Sequence, residues 1–234
     1  MRGAVGLLAL LVIVAVVSPA EAMPRVHRPE FTKNGDPATF DILGGGSPEG
    51  AWAIELRGGY PWSSFRGQLG MRGGLTPLVD LQTALFKRWE PSLGFSGRIV
   101  DRPRGRLSGE LLIGWTIETG EVPKNGPHAV ARVRVMGILG RVAPWFAVAT
   151  GHTVYVDETI RISENATETT LSARHEWAPV VEAGIAIAIT KHVGIDLGFD
   201  WHFVGAPDRF ALPGLHLGVQ VGAGPRPPPM DFAR

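Results

Sequence analysis

Asp200 and His202 stand two positions apart in the run V-G-I-D-L-G-F-D-W-H-F, Val193 to Phe203. In an extended chain residues i and i+2 share a face, and an imidazole beside a carboxylate is suitable material for a general base. Glu176 is the third candidate, with His175 next to it and His152 further upstream, on the segments that precede this run. Chemistry built from such groups would be hydrolysis of a lipid or a peptide. The leading reading is plainer: these side chains belong to a hydrogen-bond network at the end of a strand, and the chain is not an enzyme. No metal or cofactor is expected. His128, His152, His175, His192, His202 and His216 are dispersed at spacings unlike a zinc motif, and there is no cysteine. Gly44-Gly45-Gly46 is not followed by the Lys-Ser/Thr of a phosphate loop.

A second set of charged residues follows a regular pattern. In Val193 to Phe203 the odd positions are large and apolar while Gly194, Asp196, Gly198, Asp200 and His202 alternate with them, a period of two that predicts a strand with unlike faces. The same alternation recurs from Ala51 onward, best seen in Val181 to Ile189 and Leu215 to Val221. No segment shows the spacing of an amphipathic helix. Ten strands are predicted, eight being the alternative count, with Thr170 to Thr190 taken as one strand. Connections are short near Gly74, Pro103, Gly140 and Lys191, and longer at Thr119 to Pro127, Glu158 to Thr169 and Gly205 to Pro213. The stretch Val142 to Val156 is apolar on both faces, so its inward side is unassigned.

With the apolar residues set to one side, the other face collects Glu55, Asp80, Glu110, Glu182, Asp196 and Asp200 with Arg57, Arg66, Arg72, Arg98, Arg132 and Arg134. In a narrow closed barrel these meet in the lumen as a paired network, because a buried charge without a partner costs several kcal/mol. The bases are nearly all arginine, the better residue for bidentate pairing with carboxylates. A soluble sheet would carry Lys, Glu and Thr on its wet face instead. Trp52, Tyr60, Trp62, Trp89, Trp115, Trp145, Tyr155, Trp177 and Trp201 fall mostly near strand ends, as in the aromatic girdles of a membrane barrel. The fold class expected is therefore all-β, a closed antiparallel up-and-down transmembrane barrel. A soluble exported β-sandwich or lipocalin-like protein is the alternative.

On the signal ending Ala20-Glu21-Ala22 and the alternating strands, the chain resembles small bacterial outer-membrane β-barrel proteins. The resemblance implies a lipid bilayer and lipopolysaccharide around the strands, insertion by the barrel-assembly machinery, and a structural or loop-mediated binding role in the envelope. Among such barrels there are also proteases using Asp and His and deacylases using His and Ser, which is the precedent for a hydrolase. The resemblance fails at the C-terminus, where Val221 is followed by a proline-rich tail rather than by the terminal aromatic residue that commonly signals assembly. The charge ladder would line a selective pore in a wide barrel. In a barrel of about ten strands it is expected to plug the lumen.

The domain reading follows. Arg2, the apolar run Ala4 to Val17 and Ala20-x-Ala22 form a cleavable signal peptide over 1–22. Residues 23–50 are expected to be a flexible or loosely docked leader, 51–222 the barrel and 223–234 a tail. With 19% charged residues and a net charge of +1 among 234 residues, nothing points to nucleic acid. The expected location is the bacterial outer membrane, as a monomer.

Overall fold

The computed structural model describes residues 40–47, 49–71, 75–85, 87–102, 105–119, 124–163, 166–203 and 211–223. The expected signal peptide, most of the expected leader, Arg72 and the expected tail beyond Ala223 lie outside the described residues. A short helix, α1 (Phe40–Gly44), precedes ten strands: β1 (Trp52–Tyr60), β2 (Trp62–Leu69), β3 (Leu75–Ala84), β4 (Arg88–Arg102), β5 (Gly105–Glu118), β6 (Lys124–Gly137), β7 (Val142–Ser163), β8 (Ala166–Ala188), β9 (Val193–Phe203) and β10 (Ala211–Ala223). Each strand pairs antiparallel with its sequence neighbours, and β1 closes on β10 from Trp52↔Ala223 to Tyr60↔Leu215. The result is a closed, ten-strand up-and-down barrel, which removes every sheet edge at the depth where all strands are paired.

The alternation sets the two surfaces. Leu56, Leu93, Leu111, Ile113, Phe95 and Leu217 point out and are exposed, while Glu55, Arg66, Asp80, Glu110, Arg134 and Asp196 point in and are buried. That is the inverse of a soluble sandwich. It also differs from a lipocalin, whose lumen would be the apolar side. An apolar exterior around a polar interior is the arrangement a bilayer demands of a barrel.

Several expectations are corrected in detail. Glu158 to Thr169 is not a loop. β7 and β8 continue as a hairpin paired from Asp157↔Ser172 to Ser163↔Ala166, because the threonines and isoleucines there favour extended backbone. Lys124 to Pro127 likewise belongs to β6, paired with Glu118 to Trp115. Asp101 and Arg102 belong to β4 rather than to a turn. The inner side of β7 is the odd-numbered one, with Ala143, Trp145, Ala147, Ala149 and Tyr155 buried. Trp145 and Tyr155 are thus lumen residues rather than girdle residues.

The end of the leader is packed inside the barrel rather than loose. Phe40, Ile42 and Leu43 are fully buried against Ala53, Met136, Ile138, Ala143, Ala147, Ala186 and Ala188. The alanines on neighbouring inner faces leave the room that this segment fills. Gly45 is required in it: its φ is +73°, and a Cβ there would fall 2.1 Å from Cβ of Ser108.

Candidate functional site

Directly opposed inward positions bring the charges together: Glu55↔Arg66, Arg66↔Asp80 and Glu110↔Arg132 are cross-strand pairs. Glu110 is the hub. Its carboxylate accepts from Arg66 Nη2 at 2.6 Å, Arg132 Nη1 at 2.7 Å and Arg134 Nη1 at 3.0 Å. Arg132 Nε also donates to Glu182 at 3.0 Å, and Arg57 lies 3.1 Å from both Glu55 and Asp196. Asp80 is 3.5 Å from Arg66. Arg57 and Arg134 each cover the Trp145 ring, at 5.1 Å and 5.4 Å from its centroid.

Arg98 sits apart from this layer. A register shift between Arg98 and Val100 adds one residue to β4, so that both Arg98 and Asp101 face the lumen. Arg98 Nη1 donates to Asp101 at 2.7 Å and its Nη2 to the carbonyl of Gly46 at 2.6 Å, while Arg106 Nε donates to Asp101 at 3.1 Å. Arg134 Nη1 reaches the carbonyl of Leu43 at 3.2 Å. These donors hold carbonyls at the end of α1 and just beyond it, which a helix this short leaves without intrahelical partners. Gln68 Nε2 donates to Ser47 Oγ at 2.9 Å, and Ser47 N to Thr76 Oγ1 at 3.2 Å.

Toward the other end of the lumen a chain of alternating acids and histidines begins at Asp196. Trp145 Nε1 donates to Asp196 at 2.7 Å, and His216 Nε2 lies 3.1 Å from the same carboxylate. His216 Nδ1 is 3.4 Å from Asp200, and His202 Nε2 is 2.7 Å from the other oxygen of Asp200. The His202 ring stacks on Trp62 at 4.4 Å, which places Trp62 in the lumen and not in a girdle. Beside it lies a cavity of about 50 Å³ bounded by Trp62, Arg88, Glu90, His128 and His202. His128 Nε2 is 2.7 Å from Ser92 Oγ, and its Nδ1 is 3.1 Å from Thr116 Oγ1.

The structure thus brings Asp200 and His202 into contact. It takes Glu176 elsewhere, to Arg88 Nη1 at 3.0 Å. His175 faces outward, since β7 and β8 stay in register through Thr150↔Pro179 and no bulge turns it. It meets His152 on the outer wall. The cavity of about 50 Å³, which His202 helps to line, holds a few water molecules. His216 and Gln220 were both legible as polar-face residues of Leu215 to Val221. Arg88, Glu90 and Ser92 gave no signal, because their roles depend on which strand lies across the lumen.

No family model matches the chain, and no curated protein sequence matches it. Among solved structures, the N-terminal β-barrel domain of Pseudomonas aeruginosa OprF is 9% identical over 76% of this chain and 100% of that one, with a TM-score of 0.34. Ail, the attachment invasion locus protein of Yersinia pestis, is 13% identical over 75% and 99%, with a TM-score of 0.38. Neisserial surface protein A is 13% identical over 74% and 99%, with a TM-score of 0.35. The chain resembles bacterial outer-membrane β-barrels of this kind in its general architecture.

Proposed function

We propose that the protein is a plugged outer-membrane barrel of the bacterial envelope, in which the lumen is structural and the β7–β8 hairpin is presented outward. The observation that supports it most is the filling of the lumen: the Glu110-centred arginine network occupies the middle, and residues 40–47 occupy the end where β1 begins. A selective pore would need a continuous wet path through that layer. The hairpin supports the second half of the reading. β7 and β8 run for 22 and 23 residues, whereas the remaining strands have 15 or fewer.

Two measurements test it. After carbonate washing and density fractionation the protein should stay with outer membranes, and its release into the soluble fraction would end the barrel reading. Reconstituted in planar bilayers, it should give no porin-type conductance steps; stable steps would overturn the plugged lumen. A rim hydrolase remains the second reading on the strength of the Asp200–His202 contact. It requires a lipid or peptide hydrolysis by the purified barrel that His202→Ala abolishes while heat-modifiable migration is kept.

A further inference from the structure

His152 and His175 form a pair that the lumen does not use. They lie on adjacent antiparallel strands, β7 and β8, where His152 is opposite Trp177 and His175 is opposite Val154. Both project from the outer wall, His175 exposed and His152 half-buried. The Nε2 atom of His152 and the Nδ1 atom of His175 are 3.2 Å apart, and the two rings are nearly parallel, at 11° with centroids 5.3 Å apart. We propose that this pair is a surface site for a borderline divalent cation of the zinc, nickel or copper(II) type, with water completing its coordination.

The separation is the first support. Two imidazole nitrogens bound to one tetrahedral zinc, each at about 2.0–2.1 Å, lie roughly 3.3–3.4 Å from each other. The pair is within a few tenths of an ångström of that spacing, which leaves ring rotation as the adjustment. Both strands are held in continuous register on either side, so the spacing is set by the sheet and not by a loop. Without an ion, the contact needs one ring to donate N–H and the other to accept. A cation takes the place of that proton and engages both lone pairs.

The donor set selects the ion. Two imidazole nitrogens, with no carboxylate beside them among the described residues, suit zinc, nickel and copper, whereas magnesium and calcium require oxygen. The outward face leaves room for waters, as an open rather than a closed zinc site would. The place is defined as well. His152 is ten residues up β7 from Val142, about 25 Å along the barrel axis at the usual rise and tilt of such strands, and so at the outer edge of an apolar band of about 25 Å. Trp177, 60% exposed, stands beside it with its ring 4.4 Å from that of His152. An ion bound there lies at headgroup level, open to the exterior.

The experiment uses the full chain folded in detergent and carrying no histidine tag. Copper(II) and zinc are titrated by calorimetry, and bound copper is read by electron paramagnetic resonance. One ion per barrel is expected, with nitrogen hyperfine structure from two imidazoles. His152→Ala and His175→Ala should each weaken binding at least about tenfold, roughly 1.4 kcal/mol, without changing heat-modifiable migration. Oxygen-only coordination in the parent protein, or binding by the double variant equal to that of the parent, would overturn the site. The parent spectrum decides even where a variant does not fold. Because the pair lies on the outer wall, a negative result leaves the plugged-lumen reading untouched.

Discussion

Glu110 is the residue on which the interior turns. It accepts hydrogen bonds from three guanidinium groups on β2 and β6. Glu110→Ala leaves three buried cations short of a partner, and breaking such a pair costs about 3–5 kcal/mol. The expected outcome is a matching loss of unfolding free energy in urea titrations of the detergent-folded barrel, with Glu110→Gln losing less. Which residues face inward was readable from parity alone, and Glu55, Arg66, Asp80, Glu110, Arg132, Arg134, Glu182 and Asp196 all lie on the inner face. Who pairs with whom was not readable. Arg98 has the right parity yet belongs with Asp101 and Gly46, because one extra residue in β4 restores Asp101 to the lumen. Glu176 also has the right parity, but Arg88 on β4 claims it from across the lumen.

At the scale of elements, the plug is the part that sequence periodicity could not show. Residues 40–47 are too short to establish a helical repeat, and their burial is recorded instead in the inner faces of other strands, as alanines at 53, 143, 147, 186 and 188. Gly45→Ala is expected to unseat the segment, since neither the positive φ nor the 2.1 Å approach to Ser108 can accept a side chain. Limited proteolysis checks this: cleavage within 40–50 should become fast in the variant while the strands stay protected. The β7–β8 hairpin failed to register for a different reason. Glu158 to Thr169 lacks the alternation that marks the other strands, so its sequence resembles a polar loop.

For the molecule as a whole, the fold was the most legible property, because a barrel repeats one simple instruction ten times. Each strand that alternates apolar with small or charged residues adds to the same inside and the same outside. The outside carries its own test. Leu111, 62% exposed at the middle of β5, faces the surroundings near half depth. Leu111→Arg should destabilise the barrel in lipid by about 2–4 kcal/mol, the penalty for a cation at the midplane of such a barrel. Equilibrium unfolding from vesicles measures it, and a neutral result would argue that this surface faces water.

The seam between the first and last strands carries a further consequence. Gln220 Nε2 donates to Glu55 Oε1 at 2.8 Å across 165 residues of chain, so the contact that completes the cylinder is also among the most distant in sequence. Loss of β10 does not leave nine-tenths of a barrel. It strands the backbone donors and acceptors of β1 and β9 in hydrocarbon, where each costs several kcal/mol, and it frees Glu55 and Asp196 from partners supplied by Gln220 and His216. A chain ending before residue 211 should therefore accumulate as an unassembled species with no heat-modifiable form. Integrity of this protein is a property of its last thirteen paired residues as much as of its first.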